Sequence, residues 1–128
     1  MQKILVADDE EDIRLIIKFA LEDKGYKVIT VSDGAEAVAI ADKGKIDLII
    51  LDAAMPKMDG YEACKRLKKD SKTKDIPVIF LTAIDLQKDK LKSQRVGAIK
   101  FISKPFEIDT LIEEIGAILN NIGSGGRI

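Results

Sequence analysis

The chain has 128 residues, 46% hydrophobic, 34% charged and 5% aromatic, which fits one compact domain with an aliphatic core and argues against a disordered chain. Its 21 basic and 22 acidic side chains leave a formal net charge of -1, so no global field holds nucleic acid, and direct nucleic-acid binding by this chain is not expected. Histidine is absent, which removes the commonest general base and zinc ligand, and the single cysteine, Cys64, excludes an internal disulfide. Helical spacing around Cys64 reads as a small, partly buried filler rather than a reactive thiol. The start, Met1-Gln2-Lys3 and an apolar run of strand length, is too short for a signal peptide or a membrane span. Cytoplasmic residence without membrane association is therefore expected.

In chain order, short apolar runs recur at Ile4 to Ala7, Val28 to Val31, Leu48 to Leu51, Val78 to Leu81 and Phe101 to Ile102, and they read as buried parallel strands. After the first, Ile13, Ile16, Ile17, Ala20 and Leu21 form the apolar stripe of a helix ending at Gly25. A second helix is predicted over Ala35 to Lys43, after the Ser32-Asp33-Gly34 turn. A third follows Gly60, turns Ala63, Cys64 and Leu67 inward, and stops in the polar stretch Lys69 to Asp75 before Pro77. A fourth is predicted from about Lys88 to Val96. The fifth keeps Ile108, Leu111, Ile112, Ile115, Leu119 and Ile122 on one face after Pro105. Strict alternation of strand and helix predicts a (βα)5, doubly wound α/β domain over residues 1–122, with a five-stranded parallel sheet and right-handed crossovers. Residues 123–128, Gly-Ser-Gly-Gly-Arg-Ile, read as a flexible tail, a linker or an added remnant.

In open α/β sheets the site forms beyond the carboxyl ends of the strands. The first strand ends in Ala7-Asp8-Asp9-Glu10-Glu11-Asp12 and the third in Leu51-Asp52, which brings at least three carboxylates to one edge. Two unit charges about 4 Å apart repel by roughly 4 kcal/mol at an effective dielectric of 20, so such a cluster needs a cation. Asp8, Asp9 and Asp52 offer the hard oxygen donors that Mg²⁺ takes. The plainer reading of Asp8 and Asp9 is helix capping, and Glu10, Glu11 and Asp12 are assigned to that role. The fourth strand ends in Thr82-Ala83, a hydroxyl at the same edge, although a Thr closing a strand also serves turns and packing. The fifth ends in Ser103-Lys104-Pro105, where Lys104 is either a solvated charge or an ammonium aimed at the carboxylates, and Pro105 invites a cis peptide.

Four motifs in order, Asp8-Asp9, Leu51-Asp52-Ala53-Ala54-Met55-Pro56-Lys57-Met58-Asp59-Gly60, Thr82-Ala83 and Lys104-Pro105-Phe106, make the chain resemble the receiver domain of two-component response regulators from about Lys3 to Ile122. The resemblance implies a flavodoxin-like sheet of strand order 2-1-3-4-5 and a phosphoryl group taken up by Asp52. It implies Mg²⁺ held by Asp8, Asp9, Asp52 and the backbone carbonyl of Ala54, and phosphoryl oxygens bound by Thr82 and Lys104. Phe101 matches the switch aromatic that turns inward as Thr82 moves. The implied donor is a phosphohistidine on a sensor histidine kinase or histidine phosphotransfer protein, and the output is a surface that signals to a downstream effector protein. Such a chain catalyses its own phosphorylation and dephosphorylation but works as a switch, not as an enzyme.

Ala54 and Ile84 occupy the variable positions two residues after Asp52 and Thr82, and neither can orient water by hydrogen bonding, so slow autodephosphorylation is expected. The family's contact face, from the fourth helix, fifth strand and fifth helix, carries Lys88, Lys90, Lys92, Arg95 and Lys100 against Glu107, Asp109, Glu113 and Glu114. A monomer, or a weak homodimer through that face, is expected, with solvated charge the plainer reading. Gly97-Ala98-Ile99-Lys100 lacks the acidic pair common before the switch aromatic in dimeric transcription factors. With only a short tail after the fifth helix, the surface is expected to act on a separate protein; the alternatives are a module of a longer regulator and a phosphorylation-independent interaction module. A flavodoxin-like electron carrier is disfavoured, because Asp8-Asp9-Glu10-Glu11 would repel a flavin phosphate, and adjacent carboxylates disfavour an aspartyl-phosphate phosphatase. A nucleotide-binding enzyme would need a glycine-rich fingerprint that the chain lacks.

Overall fold

A computed structural model describes residues 2–82 and 95–125, with side chains through residue 120. Its elements are β1 (Lys3–Ala7), α1 (Glu11–Asp23), β2 (Lys27–Val31), α2 (Gly34–Lys43), β3 (Leu48–Asp52), α3 (Gly60–Lys69), β4 (Val78–Thr82), β5 (Lys100–Ser103) and α4 (Ile108–Gly125). The five strands are all parallel and run in the order β2-β1-β3-β4-β5, as the resemblance implied.

Period-two alternation in the central strands builds two cores. Ile4, Val6, Leu48, Ile50, Ile79 and Leu81 point to the face covered by Ile17 and Leu21 of α1 and Leu111, Ile115 and Leu119 of α4. Leu5, Ala7, Ile49, Leu51, Val78 and Phe80 point the other way, against Ala37 and Ala41 of α2 and Ala63, Cys64 and Leu67 of α3. Burial on both faces explains the unbroken Ile, Val and Leu runs, and each fully buried aliphatic side chain contributes about 1.5–3 kcal/mol.

Local chemistry sets the helix ends. Asp33 and Asp59 cap α2 and α3, accepting the amides of Glu36 and Glu62. α1 ends in a Schellman motif: Gly25 sits at φ 91, its amide bonds to Glu22, and the Tyr26 amide reaches back to Leu21.

Several expectations shift. β3 and β4 extend one residue further than the apolar runs, with Asp52 and Thr82 as the last residues of their strands, and Ala83, expected at the end of the fourth strand, lies outside the described residues. α2 begins at Gly34, not Ala35. Ile16, expected on the buried stripe of α1, is 52% exposed, because the sheet and α4 cover only the Ile17 and Leu21 side. α4 continues to Gly125, so Gly123, Ser124 and Gly125, expected in the tail, are helical; each residue added to a formed helix gains a backbone bond. Of the predicted fourth helix only Arg95 and Val96 lie among the described residues. No described helix is long and apolar enough to cross a membrane.

Candidate functional site

Asp8 is the first residue beyond β1, and its amide still donates to the Val31 carbonyl at 3.2 Å, which fixes it at the sheet edge. Its carboxylate is fully buried. Oδ1 accepts the Glu10 amide at 2.9 Å, Oδ2 meets Lys104 Nζ at 2.8 Å, and the Asp8 carbonyl accepts Arg14 at 2.7 Å. Asp8 is therefore not the cap of α1, whose N-cap is Glu10: one of its oxygens makes a turn onto the Glu10 amide and the other faces Lys104.

Asp52 closes β3 with 6% of its surface exposed. Oδ1 accepts the Ala54 amide at 3.1 Å, and Oδ2 accepts Lys104 Nζ at 3.0 Å. Burial raises the Asp52 carboxyl above its ordinary value and the Asp8 charge adds to this, against the lowering effect of the Lys104 hydrogen bond. Lys104 follows β5 directly, with its side chain 10% exposed and the Lys104-Pro105 peptide cis. Burial disfavours its ammonium, yet the hydrogen bonds to Asp8 and Asp52 outweigh burial and hold it firmly protonated. Its backbone amide donates to the Thr82 carbonyl at 2.6 Å.

Glu10 corrects the sequence reading. It stands at the N-cap of α1 but makes no side-chain cap bond there; its carboxylate reaches Lys104 Nζ at 3.3 Å. One carboxylate oxygen from each of Asp8, Asp9, Glu10 and Asp52 lies within 4.8 Å of the others. A donor set of carboxylate oxygens, open to water on the exposed Asp9 and Glu10 side, suits a hard divalent cation such as Mg²⁺ and not a soft metal. Arg14 was also missed, since nothing in the apolar pattern of α1 marks a side chain that turns back to a strand end.

Thr82 ends β4, 1% exposed and paired in register with Ser103. Phe101 pairs with Phe80 in the sheet and sits half-buried against the α2 and α3 core. Ala54 is exposed, whereas Ile84, Lys88, Lys90 and Lys92 lie outside the described residues. Lys100 pairs with Glu114 of the same chain at 3.0 Å, so one charge from each expected set is satisfied internally.

A model of the response regulator receiver domain matches residues 4–116. The chain belongs to the response regulator receiver domain family. This receiver domain is 43% identical over 118 residues to the alkaline phosphatase synthesis transcriptional regulatory protein PhoP of Bacillus subtilis, a match covering 92% of the chain and 48% of that regulator. The receiver domain thus spans about half the length of the curated relatives it matches. Among solved structures it is similar to chemotaxis response regulator CheY4 of Vibrio cholerae, at TM-score 0.87 and 37% identity over 92% of this chain and 98% of that one. It also resembles the receiver domain of a sensor histidine kinase from Pseudomonas aeruginosa, described with a magnesium ion in its active site cleft, at TM-score 0.82 and 33% identity over 96% and 98% of the two chains.

Proposed function

We propose that this receiver domain takes a phosphoryl group from a phosphohistidine donor onto Asp52 and changes its β5 and α4 surface in response, in the cytoplasm, as a switch rather than a turnover enzyme. The observation that carries the reading is the Lys104 ammonium placed on Asp8 and Asp52 at 2.8 and 3.0 Å, at an edge where four carboxylates converge. An Asp52 oxygen forms the new P–O bond as the donor's P–N bond breaks, and the released imidazole nitrogen takes a proton from solvent. Both reactants are anionic, so positioning and charge neutralisation supply the catalysis. Asp8, Asp9, Asp52 and the Ala54 carbonyl would hold Mg²⁺, which would supply positive charge to the phosphoryl oxygens. Lys104 exchanges a carboxylate for a phosphoryl oxygen, the Thr82 hydroxyl donates to another, and Phe101 follows Thr82 inward. The Ala54 side chain offers water no hydrogen bond, which supports a long-lived acyl phosphate.

Incubation with Mg²⁺ and a small acyl phosphate, followed by intact mass measurement, tests the assignment. Wild type should gain one phosphoryl group and Asp52→Asn none; equal labelling of the two, or none of either, defeats it.

A second reading of the output follows from chain length. The match covers 48% of a transcriptional regulator, which supports a receiver joined to an output domain rather than one acting only on a separate effector. The reading frame beyond the codon for Ile128 distinguishes the two.

A further inference from the structure

The loop between β3 and α3, residues 53–59, carries the Ala54 carbonyl, yet it is braced from outside the acidic cluster. Lys57 sits at φ 65, in the left-handed region that side chains disfavour, and the Met58 amide donates across it to the Pro56 carbonyl at 2.7 Å. That is the bonding of a strained γ-turn, a conformation that persists only where its surroundings over-determine it.

The surroundings are the first turn of α2. The Gly34 amide donates to the Met58 carbonyl at 3.0 Å. Asp33, 3% exposed, caps the helix through one oxygen and turns the other toward Lys57 Nζ at 3.6 Å. The approach is so close that a Cβ on Gly34 would overlap the Met58 carbonyl oxygen and stand 3.0 Å from that of Asp59. Both obstacles are backbone, so the loop or the helix would have to move. At the far end of the loop, a Cβ on Gly60 would likewise overlap the Asp52 carbonyl oxygen, so a shift at Met58 finds little slack before it reaches Asp52.

We propose that Gly34, with Asp33, is a positioning residue for the acidic site: the first turn of α2 holds the turn at Lys57 and thereby places the Ala54 carbonyl and Asp52 for a divalent cation. The inference rests on the reading of the cluster as a Mg²⁺ site and names a determinant of its affinity.

The test is calorimetric titration of the full chain with Mg²⁺, in wild type, Gly34→Ala and the control Gly44→Ala. An added Cβ at Gly44 meets only a carbonyl at 3.8 Å. Gly34→Ala should weaken binding by about tenfold, the usual loss when the support of a metal ligand is disturbed. Gly44→Ala should match wild type. A merely structural glycine would lower the melting temperature and leave the dissociation constant of the folded protein unchanged, and that result overturns the proposal. Should Gly34→Ala not fold, Asp33→Asn carries the test, since it keeps an oxygen for the Glu36 amide while discharging the contact to Lys57. It is paired with Lys57→Gln, which breaks the same contact but removes a positive charge, so an effect through space alone would strengthen Mg²⁺ binding where loss of the brace weakens it. Weaker binding by both supports the proposal, and a wild-type constant in either, or tighter binding by Lys57→Gln, overturns it. If wild type itself binds no Mg²⁺, the reading of the site fails instead.

Discussion

At Lys104 a single buried ammonium is divided among Asp8, Asp52 and Glu10, so a change at one carboxylate redistributes the bonds of the others. Cys64 shows the opposite use of burial. Its thiol donates to the Val96 carbonyl at 3.3 Å and is pushed up to about 11 by burial, with the Lys68 charge opposing weakly. A raised thiol contributes stability that is present below its ordinary value of 9.0 and is lost as pH rises through about 11. Denaturant melts should therefore show wild type losing up to about 3 kcal/mol relative to Cys64→Ala as pH climbs through that window, since a tenfold change in proton affinity is worth about 1.4 kcal/mol. Parallel stability curves for the two proteins would refute this. Alkylation of native Cys64 at pH 8 should be correspondingly slow.

At the scale of an element, α1 has a buried side against the sheet and α4 and an outer side that none of the described residues covers. Leu15, Ile16 and Phe19 are 40%, 52% and 64% exposed. Beside them a groove lined by Ile13, Ile16, Pro105, Phe106 and Ile108 opens between Glu10 and Lys104, at the rim of the acidic site. This apolar rim suits contact with a protein donor, which a small acyl phosphate does not need. Phe19→Ala should leave stability within about 0.5 kcal/mol and labelling by a small acyl phosphate unchanged. Transfer from a phosphohistidine protein that labels wild type should slow about tenfold, the loss of one exposed aromatic anchor. An equal loss with both donors would place Phe19 in the fold instead. The sequence showed α1 but not which side stays bare, because the 3.6-residue period marks a stripe without saying how wide a neighbour covers it. Glu10 was illegible for a related reason. A carboxylate next to two aspartates at a helix start reads as dipole compensation, and only the folded sheet brings Lys104, 94 positions away, onto it. The shared edge of Asp8, Asp52, Thr82 and Lys104 was legible because strand ends in an alternating βα pattern must lie together, whereas their roles were implied only by the family resemblance.

For the molecule as a whole, the acidic edge joins two cores that share a sheet, so a cation bound there as proposed would couple to global stability. Saturating Mg²⁺ at about 100 times its dissociation constant should stabilise wild type by about 2.7 kcal/mol, and chelation should reverse it. Asp52→Asn removes a buried like charge facing Asp8, so its metal-free form should melt higher than wild type while gaining less from Mg²⁺. Calorimetric melts check both, and an identical Mg²⁺ shift in the two proteins would remove Asp52 from the ligand set. The architecture was readable in advance because parallel strands buried on both faces leave long aliphatic runs. The end of α4 was not, because Gly-Ser-Gly is a poor helix former that here continues a helix already nucleated and packed.

The bond from the Lys104 amide to the Thr82 carbonyl, 2.6 Å long, ties together the ends of two neighbouring strands. The two side chains proposed to grip a phosphoryl group hang from that one link, so a grip by both would pull on the shared end of β4 and β5 together. Closure of the proposed site would then displace β5 itself, and a partner touching the outer edge of β5 would feel it as a mechanical change.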